Sequence, residues 1–170
     1  EDGILIMPPT YGMYRVCADI NGVEVHEAPL NKRFNIDIEK VRQAITSSRI
    51  KLIFVCSPNN PTGNIMPEVQ LNWLFTLPDK IIVLDEAYVD FAPGHISIPD
   101  RIDTYPNVVT LRTMSKAWGL AGARLGMAMA STEIINVLNT VKPPYNINTL
   151  TQEAVSKALA SADQFRDNIT

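Results

Sequence analysis

Short apolar runs alternate with amphipathic segments along most of the chain, and this alternation predicts an α/β fold. Residues 51–56 and 80–84 are almost continuously apolar, which is typical of parallel strands buried on both faces of a sheet. Residues 38–45 and 67–75 carry apolar side chains at helical spacing. The pattern favours a three-layer α/β/α arrangement, in which helices cover both faces of a mostly parallel mixed sheet.

The remaining elements are shorter. We predict further strands over residues 3–7, 23–26, 107–111 and 124–130, and further helices over residues 11–20, 133–141 and 149–166. The segment between the last two strands is too short for a long crossover helix, so we expect the final strand to run antiparallel. Residues 93–106 are expected to form an irregular connection.

Composition narrows the class of protein. The chain has 170 residues, 46% of them hydrophobic and 19% charged, which favours a single globular domain over disorder. The net charge of -3 and the lack of a basic patch argue against nucleic acid and acidic membranes as partners. No apolar run is long enough to cross a bilayer. Cys17 and Cys56 lie far apart without a zinc spacing, which indicates reduced thiols and a cytoplasmic location.

The two ends suggest that the chain is an internal piece of a longer protein. It begins with Glu1 rather than methionine and enters an apolar strand almost at once. It stops within or just after a helical pattern. A targeting signal could therefore have preceded it.

Polar side chains follow several of the predicted strands. Each has a common interpretation on its own: a turn for Asn60, a helix cap for Asp85, a solvated surface lysine for Lys116 and a salt bridge for Arg124. Ligands bind outside the carboxyl ends of strands in open α/β sheets, so these groups should converge on one edge. The full set is Tyr11, Asn60, Asp85, Tyr88, Thr113, Ser115, Lys116 and Arg124. His26 and His95 stand alone and are read as surface residues.

The converging residue types match the needs of pyridoxal phosphate. Lys116 sits between apolar runs, so we expect partial withdrawal from water and a use for its amine as a Schiff-base former. The cofactor also needs a carboxylate at its pyridine nitrogen, which Asp85 would supply. Lys116 would then serve as general base as well. The other roles are the phenolate oxygen for Asn60 and Tyr88, the phosphate for Thr113, Ser115 and Arg124, and ring stacking for Tyr11.

Five stretches carry a family resemblance: residues 8–14 (PPTYGMY), 57–63 (SPNNPTG), 85–91 (DEAYVDF), 113–126 (TMSKAWGLAGARLG) and 144–146 (PYN). With them the chain resembles the fold type I, class I/II pyridoxal-phosphate-dependent aminotransferases, and among these the histidinol-phosphate aminotransferases. The resemblance implies the same roles for the same eight residues. It also implies a mixed seven-stranded large domain and a homodimer with shared sites.

The resemblance further implies a reaction between L-histidinol phosphate and 2-oxoglutarate, which gives imidazole acetol phosphate and L-glutamate in histidine biosynthesis. Residues 1–170 would form part of the large cofactor-binding domain. The family's N-terminal segment and C-terminal small domain are missing, so we expect the isolated piece to be weakly active or inactive. The alternatives are an aromatic-amino-acid transaminase, an amino-acid-phosphate decarboxylase or a noncatalytic α/β interaction module.

Overall fold

The computed structural model describes residues 2–46, 49–92, 102–166 and 169. Their strands form one six-stranded sheet in the order β2-β1-β3-β4-β5-β6. The strands are β1 (Gly3–Ile6), β2 (Glu24–Glu27), β3 (Ile50–Cys56), β4 (Ile81–Asp85), β5 (Val108–Thr113) and β6 (Gly126–Met129). All neighbours pair in parallel except β5 and β6, which are antiparallel. The predicted mixed, mostly parallel sheet is confirmed.

Helices lie on both faces of the sheet, as predicted. The described helices are α1 (Met13–Ile20), α2 (Ile38–Ile45), α3 (Glu68–Phe75), α4 (Thr132–Val141), α5 (Thr149–Ala160) and α6 (Ala162–Arg166), and the first three of them pack on the sheet. Alternate residues of a strand face opposite sides. On one side, Ile53 and Leu84 pack with side chains of α2 and α3 in the larger core cluster. On the other side, Ile4 and Ile6 pack with Tyr14 of α1.

Strands β3 and β4 end on one common row, and β5 crosses this row two residues before its own end at Thr113. Cys56 of β3 pairs with Asp85 of β4, and Asp85 pairs with Leu111 of β5. Asp85 follows Leu84, so its side chain lies on the face that α1 covers. The loops after these strands therefore start from the same edge, which brings their polar residues together.

Several local boundaries differ from those predicted. The bounds of α2 do not: it begins at Ile38 as predicted, and the Asp37 side chain caps it by accepting a hydrogen bond from the Lys40 backbone N–H. The last helix is interrupted at Ser161. The final strand begins at Gly126 because Arg124 adopts a left-handed backbone with a φ of 55° after a short 3-10 helix, Ala121–Ala123.

The irregular connection predicted over residues 93–106 falls partly outside the described residues, which resume at 102 with turns. Within the described ranges, none of the helices combines the length and the apolar character needed to cross a membrane.

Candidate active site

A cleft of about 280 Å³ opens at the carboxyl edge of the central strands. All eight residues singled out from the sequence line it, although they come from four separate parts of the chain. Three further residues complete the lining. The full set is Tyr11, Cys56, Asn60, Asp85, Ala87, Tyr88, Arg112, Thr113, Ser115, Lys116 and Arg124.

Asp85 supplies a buried carboxylate to this cleft. It is only 9% exposed, and both of its oxygens accept hydrogen bonds. The Ala87 backbone N–H donates to Oδ1 at 3.0 Å, and the Tyr14 hydroxyl donates to Oδ2 at 2.7 Å. Burial, followed by the Asp85 charge, raises the pKa of Tyr14 well above its usual value, so Tyr14 remains a neutral donor.

Lys116 reaches the cleft from the loop after β5. Its Nζ lies 5.0 Å from the centre of the Tyr88 ring, within the range of a cation–π contact. The expectation that Lys116 is partly withdrawn from water is wrong, because the side chain is exposed. The flanking residues Met114 and Ala117 enter the core instead, which turns Lys116 outward into the cleft.

The loop over residues 57–63 holds Asn60 beside Tyr88, with Asn60 Nδ2 3.4 Å from the Tyr88 hydroxyl. The loop itself is fastened by its neighbour Asn59, which is 3% exposed. Asn59 Nδ2 donates to the Pro9 carbonyl at 3.0 Å, and Asn59 Oδ1 accepts from the Thr10 hydroxyl at 3.1 Å. These bonds join the 57–63 loop to the loop that carries Tyr11.

Two hydroxyls and a guanidinium, those of Thr113, Ser115 and Arg124, also line the cleft. Thr113 Oγ1 and Ser115 Oγ lie 2.9 Å apart, and the Ser115 backbone N–H donates to Thr113 Oγ1 at 3.1 Å. The Met114 N–H donates to the Leu125 carbonyl at 3.1 Å and closes the loop that carries Lys116. Arg124, which precedes Leu125, donates from Nη1 to the Ala121 carbonyl at 3.1 Å. The resulting group of donors is of the kind that binds phosphate.

Sequence reasoning missed four residues at or beside this site: Tyr14, Cys56, Ala87 and Arg112. Cys56 is the last residue of β3 and pairs with Asp85, whereas Ala87 precedes Tyr88 in the loop after β4. Neither residue type marks a site in the sequence. Arg112 ends an apolar run, and a cation in a buried strand is a usable signal. Its Nε and one terminal nitrogen bind Oε2 of the buried Glu86 at 3.0 and 2.9 Å.

A larger cavity of about 510 Å³ adjoins the cleft and shares Asn60 and Tyr88 with it. Its other walls are mostly apolar, with Ile65 and Phe91 among them. Among the described residues that line the larger cavity, none is a lysine, an arginine or a carboxylate. In this part of the chain, the acid–base groups are concentrated in the smaller cleft.

Comparison with known proteins places the chain in a family. The family model described as "Aminotransferase class I and II" matches residues 1–170. The chain belongs to this family. A histidinol-phosphate aminotransferase of Cytophaga hutchinsonii is 53% identical over 159 residues, which cover 94% of this chain and 45% of that relative. The chain thus spans about half the length of the relatives it matches.

Solved structures agree with this family membership. A histidinol-phosphate aminotransferase from Sinorhizobium meliloti, solved in complex with pyridoxal-5'-phosphate, superposes with a TM-score of 0.89 at 25% identity, over 99% of this chain and 47% of that one. An L-threonine-O-3-phosphate decarboxylase from Porphyromonas gingivalis gives a TM-score of 0.84 at 28% identity, over 97% of this chain and 49% of that one. The fold is therefore that of fold type I aminotransferases.

Proposed function

We propose that the protein carrying this chain is a pyridoxal-phosphate-dependent aminotransferase that acts on L-histidinol phosphate and 2-oxoglutarate. In this proposal the products are imidazole acetol phosphate and L-glutamate, and the reaction belongs to histidine biosynthesis. The chain supplies most of the cofactor site. The substrate-carboxylate site lies largely outside these 170 residues.

One observation carries the proposal: a single cleft combines a buried carboxylate, a lysine, and a group of hydroxyl and guanidinium donors. This donor set fits pyridoxal phosphate, whose phosphate is anionic and whose ring nitrogen functions best opposite a carboxylate. Three of the described lining residues, Arg112, Lys116 and Arg124, are cationic, and Asp85 is a carboxylate. The buried Glu86 pairs with Arg112, so the positive charges exceed the negative ones by one. That balance favours an anionic ligand.

The proposed residue roles follow from the chemistry of each side chain. Thr113, Ser115 and Arg124 would hold the phosphate, with the planar guanidinium suited to two parallel hydrogen bonds. Asn60 and Tyr88, which already lie within 3.4 Å of each other, would hydrogen-bond the ring's phenolate oxygen. These contacts orient the ring.

Asp85, Tyr11 and Lys116 would act on the ring and on the substrate. The Asp85 carboxylate would keep a proton at the ring nitrogen, and Tyr11 would stack on the ring. Pyridoxal phosphate, when bound, supplies an electron sink that stabilises negative charge on the substrate carbon. The Lys116 amine would bind the cofactor covalently and move the proton of the substrate's α-carbon as a general base. The Lys116 side chain is exposed, so its amine is accessible to the cofactor and to the substrate.

The similarity to named enzymes supports histidinol phosphate as the substrate. Relatives with that name are 53% identical in C. hutchinsonii and 44% identical in Saccharomyces cerevisiae. The similarity to the P. gingivalis decarboxylase is at 28% identity. Amino-acid-phosphate decarboxylation is therefore the second candidate.

The whole protein is proposed to be a cytoplasmic homodimer with small-molecule substrates. Residues 1–170 would be an incomplete large domain, completed by an N-terminal segment and a C-terminal small domain. Cys17 and Cys56 are free thiols, which suits a reducing compartment. The isolated 170 residues are expected to turn over little or no substrate.

The test uses the full-length protein. It should bind pyridoxal phosphate with a visible absorption band, and borohydride reduction followed by peptide mass spectrometry should place the cofactor's mass on Lys116. Lys116→Ala should remove that label and lower kcat by at least about a hundredfold, the smaller end of general-base effects. The matched control is Lys142→Ala, an exposed lysine at the end of α4.

Substrates are then compared directly. Histidinol phosphate should be transaminated with a higher kcat/KM than aromatic amino acids, and no carbon dioxide should be released from amino-acid phosphates. A visible band and a label that survive Lys116→Ala would refute the site. Decarboxylation without transamination would favour the second candidate.

A further inference from the structure

Tyr14 contacts two of the residues proposed to hold the cofactor ring, although it does not line the cleft itself. Its hydroxyl donates to Asp85 Oδ2 at 2.7 Å. The edge of its ring meets Tyr11, with centroids 5.6 Å apart and planes at 84°. It also stacks on Phe54 at 4.9 Å and is only 6% exposed. Tyr14 is thus fixed by packing on one side and bonded to the site on the other.

The Tyr14 hydroxyl is a donor at every working pH. Burial first, and the Asp85 charge second, raise its pKa well above the usual tyrosine value. Cys56, beside the same carboxylate, has a pKa raised to about 11, mainly by burial. Asp85 therefore has two neutral neighbours here, and a hydrogen bond from a neutral donor to a charged acceptor is a strong one.

The orientation of the Asp85 carboxylate depends on such bonds. The terminal torsion of aspartate has broad, weakly defined minima, so packing alone does not set the plane of the carboxylate. The Ala87 N–H holds one oxygen from two residues along the chain. Tyr14 holds the other oxygen from a helix that precedes Asp85 by 71 residues.

We propose that Tyr14 is a positioning residue, which holds the Asp85 carboxylate in the orientation needed at the ring nitrogen of pyridoxal phosphate. The inference rests on the proposed function and deepens it. Tyr14 does not line the cleft and would act on the cofactor ring through Asp85 and Tyr11. Its loss should therefore change how tightly and how rigidly the ring is held, and should leave substrate binding nearly unchanged.

The experiment compares Tyr14→Phe with the full-length parent. The dissociation constant for pyridoxal phosphate should rise about tenfold or more, the effect expected for losing a hydrogen bond to a charged group. The visible circular dichroism of the bound cofactor should weaken, since it reports the fixed orientation of the ring. The kcat should fall while KM changes little. The control is Tyr105→Phe, which removes a hydroxyl from a ring packed on Phe75 in the main core.

Two further variants separate positioning from a structural effect. In an Asp85→Asn background, Tyr14→Phe should add less than about a twofold loss of affinity, because coupled residues are not additive. An equal loss in both backgrounds would overturn the proposal. If Tyr14→Phe does not fold, p-aminophenylalanine at position 14 keeps a donor on the same ring carbon. Affinity within about threefold of the parent supports the role, and loss of binding overturns it.

The outcomes also distinguish this inference from the proposed function. If the parent binds the cofactor and Tyr14→Phe binds it as tightly as Tyr105→Phe does, positioning by Tyr14 is wrong and the proposed function stands. If the parent does not bind pyridoxal phosphate, both are wrong.

Discussion

The pair formed by Glu86 and Arg112 gives the sharpest prediction for stability. The Glu86 side chain is fully buried, and Arg112 is 28% exposed. Two guanidinium nitrogens lie 3.0 and 2.9 Å from the same oxygen, Oε2. Arg112→Ala would leave the carboxylate in the core without this partner. Removing one member of a buried pair costs about 3–5 kcal/mol. Because Arg112 is partly exposed, we expect Arg112→Ala to lower the free energy of unfolding by about 3 kcal/mol.

That loss is large compared with the free energy of unfolding of a typical domain, about 5–15 kcal/mol. Urea unfolding of the full-length protein, followed by circular dichroism, should report it as a lower midpoint with an unchanged slope. The control is Arg15→Ala, whose exposed pair with Glu27 should contribute less than about 1 kcal/mol. Adding Glu86→Gln to Arg112→Ala should restore part of the stability, because it removes the buried charge.

The result that would refute this reasoning is a loss below about 1 kcal/mol for Arg112→Ala, equal to that of Arg15→Ala. If Glu86→Gln restored no stability to Arg112→Ala, the reasoning would also be refuted, since the cost is attributed to the buried Glu86 charge once its bonds to Arg112 are lost.

Three other predictions concern a helix cap, the phosphate group and a buried thiol. Asp37→Ala should lower the free energy of unfolding by about 1 kcal/mol, because the Lys40 N–H loses its cap; a urea midpoint equal to the parent's would contradict this. Arg124→Lys should weaken pyridoxal phosphate binding about tenfold in a fluorescence titration, since an ammonium cannot replace the guanidinium fork; unchanged affinity would remove Arg124 from the phosphate site. Burial raises the pKa of the Cys56 thiol from 9.0 to about 11, so the unfolded chain loses the thiol proton at a lower pH than the folded chain does. The free energy of unfolding should therefore decrease as pH rises from 9.0 to about 11, and Cys56→Ala should make this decrease smaller. Iodoacetamide at pH 8 should label the exposed Cys17 and spare Cys56, and equal labelling would be evidence against its burial.

The centre of the sheet could be predicted because its strands are largely buried on both faces. Residues 51–56 and 80–84 are almost wholly apolar, and β3 and β4 lie within one residue of those bounds. The short segment before residue 126 also indicated the antiparallel β6, which is confirmed. Convergence of the eight candidate residues followed from the parallel strands, since their carboxyl ends share an edge. The chemical roles of these residues stay predictions.

Features that depend on tertiary contacts could not be predicted from the sequence. Helical spacing placed Tyr14 on an apolar face, and it is buried, but its hydroxyl partner Asp85 lies 71 residues away. The apolar surroundings of Lys116 suggested burial, whereas its neighbours take the core positions and leave it exposed. The late start of β6 at Gly126 reflects the left-handed backbone of Arg124, for which arginine itself gives no signal.

The common row formed by Cys56, Asp85 and Leu111 has a consequence for how the chain tolerates insertions. Beyond this row, the loops after β3 and β4 can lengthen or shorten while the two strands keep their pairing. Below it, one extra residue in β4 would exchange the two faces of the strand from that point on, and Asp85 would point away from Tyr14. Tolerance to insertion should therefore change abruptly at Asp85. A library of single-residue insertions across residues 78–92 would locate this boundary.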